Sequence, residues 1–172
     1  MKIEVRIAHF EDAPYIALLG RMTFKETFGH LFSIQAELEA YLTATFSVEK
    51  MRSSIQKTNN VFWLALADDL PVGYAKFKKE SWYDNAHKEG VLQVQKIYVL
   101  KDFLQLKLGL NLYQHIENEA ISLNLQSLWL VVLHTNYRAI QFYEKIGFEK
   151  TKQHFFDIGS QHFQFELMVK KL

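Results

Sequence analysis

The segment from residue 91 to residue 133 constrains the fold more than any other part of the chain, because it has the pattern strand, helix, strand. The apolar stretch VLQVQKIYV is followed by a helical pattern with Leu112, Ile116 and Ala120 on one face. The continuous apolar run LWLVVL comes next and is typical of a strand that is covered on both faces. Strands joined by a helix pair in parallel through a right-handed crossover. We therefore expect a parallel pair within the sheet.

The first of these two strands contains an irregularity. Its apolar residues stand at positions 92 and 94 and then at 97 and 99, so the alternation slips by one residue between Val94 and Ile97. A slip of one residue is the mark that a β-bulge leaves in a sequence. The pattern predicts a bulge at this point.

The first half of the chain predicts a strand, helices and a hairpin. KIEVRIA alternates like a half-buried strand, and residues 11–28 form a helical pattern that ends near Phe28. Residues 34–57 predict one or two short helices, with Leu38 and Leu42 on one face. VFWLALADDLPVGYAKFKKE reads as two strands joined by a tight Asp-Asp-Leu-Pro turn.

The end of the chain predicts a short helix over Arg138 to Ile146, closed by Gly147, and a final hairpin around Gly159. The expected fold is α/β, with a mixed, mostly antiparallel sheet, a central parallel splay and helices on both faces. The chain has 172 residues, no internal repeat and no linker, so we expect one domain spanning residues 1–172.

Composition narrows the possible partners. The formal net charge is +1, from 20 basic and 19 acidic residues, which disfavours nucleic acid and membrane surfaces as partners. The chain has no cysteine, which fits a reducing compartment, and its seven histidines lack the spacing of a metal site. The charged N-terminus has no signal-type apolar run, so the expected location is cytoplasmic.

The loop between Tyr98 and the following helix contains one glycine, Gly109. The N-terminus of a helix presents unpaired N–H groups and the positive end of the helix dipole, which together attract anions. A glycine lets a phosphate approach the backbone, and Lys107 adds a positive charge nearby. Alternatively, Gly109 simply begins the helix.

A second motif lies downstream, where NYRAIQFYEKIGFE has the spacing N-x-x-A-x-x-F-Y-x-x-x-G-F. Here the chain resembles the GNAT superfamily of acetyl-CoA-dependent acetyltransferases. The first motif of that family is a strand followed by [Q/R]-x-x-G-x-[G/A], which aligns Gly109 with the final glycine. Leu104 then replaces the Gln or Arg, and Lys107 replaces the middle glycine. The family also has a bulge in the preceding strand.

The resemblance implies acetyl-CoA as cosubstrate and a set of residues that bind it, with the pyrophosphate on the amides of residues 104–110. These residues are Ile97, Tyr98, Val99, Leu104, Gln105, Leu106, Lys107, Leu108, Gly109, Leu110, Asn136, Ala139 and Tyr143. No metal is expected, because the histidines lack metal-site spacing.

Two residues are expected to act in catalysis. Tyr143 matches the family's general acid, whose phenol, with a pKa of about 10, can protonate the departing thiolate. The alternative is a packing aromatic, since Phe142 and Tyr143 are adjacent. A backbone N–H freed by the bulge near Ile97 would stabilise the oxyanion.

The general base and the acceptor each have more than one candidate. Gln93 and Gln95 on the bulged strand cannot titrate, which leaves a water relay, Glu26 or, as a relay, His134. Short stretches such as MTFKETFGHLFS resemble the PaiA-type branch, which is associated with polyamine acetylation. A polyamine would suit an acidic pocket formed by Glu26, Glu37, Glu39, Asp84 and Glu89.

The predicted activity is transfer of an acetyl group from acetyl-CoA to a primary amine of a polyamine, another small molecule or a protein, by direct attack in a ternary complex. The alternatives are a catalytically silent acyl-CoA-binding or regulatory module and a nucleic-acid-binding domain. The oligomeric state stays open, a homodimer included.

Overall fold

A computed structural model describes residues 1–83 and 90–172 of the chain. Seven strands form one sheet in the order β1-β2-β3-β4-β5-β7-β6. Their bounds are β1 Ile3–Ile7, β2 Asn60–Ala67, β3 Leu70–Lys79, β4 Val91–Val99, β5 Ser127–Leu133, β6 Glu149–Ile158 and β7 Gln161–Lys171.

Five α-helices pack on this sheet: α1 Ala13–Phe28, α2 Gln35–Thr45, α3 Val48–Ile55, α4 Leu108–Ser122 and α5 Tyr137–Lys145. Helices α1 and α3 bury Ile16 and Met51 against one face of the sheet. Helices α4 and α5 bury Leu112 and Ile140 against the other face. The expected mixed sheet with helices on both faces is therefore confirmed. Among the described residues, no helix combines the length and apolarity needed to span a bilayer.

The turn between β2 and β3 is shorter than predicted. Only Asp68 and Asp69 form it, with φ of 47° and 66°, whereas Leu70 and Pro71 belong to β3. A two-residue hairpin turn needs positive φ at both positions, and aspartate tolerates this conformation better than most residues. Pro71 is accommodated because it lies beside a register shift, where the ladder is irregular.

The predicted bulge lies in β4. Lys96 is opposite Lys76, but Val94 is opposite Phe77, so Gln95 is the extra residue. The parallel pairing with β5 covers Val91–Gln93. Beyond this point β4 continues along β3 while β5 continues along β7, so the two strands diverge. The predicted central splay is confirmed, and it begins beside the bulge.

Strand β6 lies at one end of the sheet and contacts only one neighbouring strand, β7, in the described structure. Nine of its ten residues are exposed. Its first half carries the charged residues Glu149, Lys150 and Lys152, and its second half carries the exposed rings of Phe155 and Phe156.

The start of α1 is held by a partly buried ion pair. Asp12, which is 6% exposed, receives two hydrogen bonds from Arg6, at 2.7 and 2.9 Å, and one from the backbone N–H of His9. Hydrogen bonding from Arg6 holds the pKa of Asp12 below its usual range. The resulting stabilisation is fully present above the unfolded pKa of about 3.9 and is lost as the pH falls through the lower folded pKa.

We therefore expect Asp12→Asn to lower the free energy of unfolding by about 2 kcal/mol at pH 7, because Arg6 loses its countercharge. Urea denaturation measures this loss, and it should shrink below pH 4. Asp102→Asn, at an exposed position, is the matched control. Equal stabilities of the two variants at pH 7 would contradict the prediction.

Candidate functional site

The segment between β4 and α4 differs in one respect from the prediction. Residues Lys101–Leu106 form a 3-10 helix, and α4 begins at Leu108, so Gly109 is the second residue of the helix and does not lie in the loop before it. The left-handed conformation at the corner belongs to Lys107, with φ of 56° and ψ of 22°. A non-glycine residue in this conformation costs about 1 kcal/mol.

Apolar packing explains how Lys107 keeps this conformation. The next side chain, Leu108, is 1% exposed and lies in a cluster with Ala67 and Val72. Phe103 and Leu106 of the 3-10 helix pack against the same cluster. The segment is anchored on both sides of Lys107, so the packing imposes the turn without a glycine.

The start of α4 presents free donors. The backbone N–H groups of Lys107, Leu108 and Gly109 have no acceptor within the described part of the chain, while those of Leu110 and Asn111 donate to the carbonyl of Lys107. Three adjacent unpaired amides at the positive end of a 15-residue helix create a local potential that favours negative charge. A Cβ at Gly109 would meet one atom of the described chain, Ile97 Cγ2 at 3.9 Å. The space above these amides is therefore open to a ligand.

The divergent part of β4 carries different side chains on its two faces. Ile97 and Val99 pack into the core beneath α4 and α5. Tyr98 packs on the opposite face, beside α1 and α3. Lys96 lies with Tyr98, since its Nζ is 5.1 Å from the centre of the Tyr98 ring. Alternate residues after the bulge thus pack against the clusters on the two opposite faces of the sheet.

Tyr143 lies on α5, half-buried, with its ring against those of Phe142 and Phe148. Its hydroxyl has no hydrogen-bond partner among the described residues, and burial raises the pKa of the phenol. The Tyr143 ring packs against the same core cluster as Ile97 and Val99 of β4, on the face of the sheet that α4 and α5 cover.

Asn136 and Ala139 are joined by a helix cap. The side chain of Asn136 accepts a hydrogen bond of 3.2 Å from the N–H of Ala139 and so begins α5. The cap fixes the start of the helix that carries Tyr143. Asn136 also lines a groove of about 210 Å³, together with Thr27 and Phe28 at the end of α1.

Three of the carboxylates expected around a polyamine are already bonded within the protein. Glu26 accepts a bond from the N–H of Lys101, Glu37 holds Ser160 in the β6–β7 turn, and Glu39 pairs with Lys25 and Arg21. Asp84 and Glu89 lie outside the described residues. Each of the three described carboxylates is therefore engaged by a different part of the chain.

The other base candidates are also engaged. His134 lies at the end of β5, where its Nδ1 is 3.0 Å from the carbonyl oxygen of Gln164. Gln93 accepts hydrogen bonds from Ser81 and Gln95, so these three side chains form a polar row beside the bulge. Trp129 donates to the backbone oxygen of Ser81 and holds this row in place.

The sequence prediction missed a pocket of about 340 Å³ between α3 and strands β2, β3 and β4. Its lining includes five lysines, here called the lysine pocket: Lys50, Lys57, Lys76, Lys78 and Lys96. The only signal was the alternation in AKFKK, which places Lys76 and Lys78 on one face of β3. The other three lysines come from distant positions.

Comparison with known proteins gives a consistent result. The sequence profile of the acetyltransferase (GNAT) family matches residues 31–148. The chain is 26% identical, over 94% of its length and 92% of the relative, to an uncharacterised N-acetyltransferase in the pepI 3′ region of Lactobacillus delbrueckii subsp. lactis. It is 25% identical, over 86% of its length and 81% of the relative, to an N-alpha-acetyltransferase of Saccharolobus solfataricus.

Among solved structures, the chain matches the PaiA N-acetyltransferase from Thermoplasma acidophilum, solved in complex with coenzyme A. The TM-score is 0.81 at 22% identity, over the full length of both chains.

Proposed function

Because the chain belongs to the GNAT family and is an acetyl-CoA-dependent N-acetyltransferase, we propose that it acetylates a primary amine by direct attack in a ternary complex. One observation carries the proposal. Strands β4 and β5 diverge beside the bulge at Gln95, and β4 leads directly to the free amides at the start of α4. A long ligand with an anionic end can lie in the splay with that end on the amides.

The binding site follows from this arrangement. The amides of Lys107, Leu108 and Gly109 hold the pyrophosphate, flanked by Leu104, Gln105, Leu106 and Leu110. The pantetheine arm of acetyl-CoA enters the splay, where it lies along the backbone of Ile97, Tyr98 and Val99. Asn136, Ala139 and Tyr143 line the same arm from the α5 side. The PaiA relative contains coenzyme A, which supports this assignment in the same fold.

Two groups of the chain serve the reaction. The thioester supplies an activated acetyl group and a thiolate that departs. In our proposal the backbone N–H of Ile97 stabilises the negative charge that develops on the carbonyl oxygen. The Tyr143 hydroxyl donates its proton to the departing sulfur. Two observations support this role: its hydroxyl has no partner among the described residues, and its ring packs against the core cluster that Ile97 also contacts.

The raised pKa of Tyr143 predicts the pH dependence. An acid works only while protonated, so a raised pKa extends its active range upward. With pentylamine as acceptor, kcat/KM should rise with pH as the amine loses its proton. It should show no decline at any pH up to about 10. Stopped assays between pH 6 and pH 10 measure this. A falling limb near pH 9 that Tyr143→Phe lacks would contradict the prediction.

The amine must lose a proton, and the described residues suggest a relay. Gln93, Gln95 and Ser81 form a polar row beside the bulge but do not titrate at neutral pH. We propose that water bound along this row carries the proton to solvent. The carboxylate of Glu26 is the alternative, although its hydrogen bond to Lys101 holds it at the far end of β4.

Thiol release from acetyl-CoA tests the function across amino acids, peptides, aminoglycosides and polyamines. Turnover with an amine confirms acetyl transfer, whereas CoA binding without turnover of any amine would favour a silent module. The polyamine alternative has its own arm: if a polyamine is the acceptor, turnover of spermidine exceeds that of neutral monoamines and loses this advantage with added salt. Glu26, Glu37 and Glu39, the described carboxylates that could attract a polyamine, are each bonded within the protein.

A further inference from the structure

The lysine pocket concentrates positive charge in a chain that is nearly neutral overall. Five of its lining residues are lysines, and none of the described residues that line it is an aspartate or glutamate. No described carboxylate lies within ion-pair distance of any of the five; Lys50 donates to the backbone oxygen of Ala44. The five lysines therefore create a strongly positive local potential, although the formal charge of the whole chain is only +1.

The charges are also partly removed from water. Lys76 and Lys96 are opposite each other on β3 and β4, and both are half-buried. The Nζ of Lys96 lies 5.0 Å from the centre of the Phe46 ring and 5.1 Å from that of Tyr98. Burial and the neighbouring lysines lower the pKa of each to about 8. An anion that binds between these lysines relieves their mutual repulsion and stabilises their charged forms, and the effect is largest in a half-buried site.

The pocket has room for a ligand. Tyr74 forms part of its wall, but its hydroxyl is buried beside Gly20 without a hydrogen-bond partner in the described structure, so it is not available to a ligand. The pocket volume of about 340 Å³ suits a small molecule.

The pocket adjoins the reacting end of the splay. Gln95 and Lys96 line it, and the next residue along β4 is Ile97, whose N–H we assign to the oxyanion. Tyr98, the residue after Ile97, packs against Tyr74 of the pocket wall. An acceptor anchored in the pocket can thus present an amine to the thioester.

We propose that the lysine pocket binds the carboxylate or phosphate group of the acceptor, so that the preferred acceptor is a small amine that also carries negative charge. This inference rests on the proposed acetyl transfer and adds the acceptor class to it. A polyamine would be repelled by the same five lysines. The amine is acetylated as proposed above, with the proton leaving to water and the thiol departing as CoA.

Direct binding provides the first test. Calorimetry should detect succinate and inorganic phosphate binding to the protein without acetyl-CoA, and comparison of the two distinguishes a carboxylate from a phosphate preference. The double variant Lys57→Gln/Lys78→Gln should weaken binding of the better anion at least about tenfold. Lys171→Gln removes the same charge at an exposed position on β7 and should leave binding unchanged. Circular dichroism confirms that each variant is folded.

The affinity should also fall between pH 7 and pH 9, because the buried lysines lose their charge as the pH rises through about 8. The titratable groups that surround Lys96 are Lys50 and Lys57 from the α3 side, Lys76, Lys78 and Tyr74 from β3, and Tyr98 from β4. An affinity that is constant over this range would contradict the proposal.

Kinetics provides the second test, with three acceptors that share a 4-aminobutyl chain and differ in the group at its other end. We expect kcat/KM to be at least about tenfold higher for 5-aminopentanoate, or for 4-aminobutyl phosphate, than for pentylamine, and to lose this advantage in the double variant. Equal turnover of charged and neutral amines would overturn the acceptor class while acetyl transfer stands. Anion binding with no thiol release from any amine would instead overturn the proposed function and, with it, the acceptor role of the pocket.

Discussion

Replacing Tyr143 with phenylalanine should lower kcat about tenfold to a thousandfold. The change removes one hydroxyl and keeps the ring that packs against Phe142 and Phe148. General acid catalysis is worth about 100- to 10,000-fold, but a thiol with a pKa of about 8.5 can leave as thiolate unassisted, so the effect lies towards the lower end. Steady-state kinetics of thiol release measures the loss, and the KM for acetyl-CoA should be nearly unchanged.

Tyr137→Phe is the matched control, since Tyr137 lies on the same helix and is 68% exposed. This variant should retain full activity. Calorimetry should give the same CoA affinity for both variants and the unmodified protein. Turnover retained by Tyr143→Phe would make Tyr143 a packing residue and remove it from the mechanism.

Replacing Gly109 with glutamate should abolish CoA binding, a loss of at least about a hundredfold in affinity. The side chain would enter the open space above the free amides of Lys107, Leu108 and Gly109 and bring a negative charge to a site for negative charge. Calorimetry with CoA measures the effect. The fold should survive, because Gly109 lies in the helical region and a Cβ there meets Ile97 at an ordinary contact distance.

Two further substitutions separate charge from size. Gly109→Gln has nearly the same shape as glutamate without its charge, so it should bind CoA less well than the unmodified protein but better than Gly109→Glu. Gly109→Ala should cause the smallest loss. If Gly109→Glu binds CoA normally, the pyrophosphate does not lie on these amides and the cofactor assignment is wrong.

The sequence predicted the sheet well because its signals are local and periodic. The slip between Val94 and Ile97 fixes the bulge, since a strand alternates with a period of two and one extra residue must shift the pattern. The run LWLVVL predicts a strand covered on both faces because both faces must be apolar. Each inference needs only neighbouring residues.

The site was harder to predict because its geometry depends on packing between distant segments. The glycine pattern pointed to Gly109 as the corner, but the corner conformation belongs to Lys107, held by Leu108 against Val72 of β3. No pattern in the loop reveals that contact. The assigned roles of Ile97, Tyr143 and the other site residues stay predictions until the variants are measured.

The lysine pocket shows a second limit of prediction from the sequence. Its charges come from α3, from the segment after it and from two strands, over a span of 46 positions from Lys50 to Lys96. Net charge averages over the chain, so a value of +1 conceals a cluster that the fold assembles. The acidic residues around positions 26 to 39 suggested a cationic acceptor, but Glu37 and Glu39 are bound within the protein.

The exposed strand β6 has a consequence for solubility. An edge strand offers unpaired N–H and C=O groups along one side, so another extended chain could pair with it and begin aggregation. Lys150 and Lys152 oppose this, because an added strand would have to strip water from their charged groups. The second half of the strand carries Phe155 and Phe156 and lacks lysine, so self-association would start there. Removing the two lysines would leave the whole border open to the growth of cross-strand assemblies.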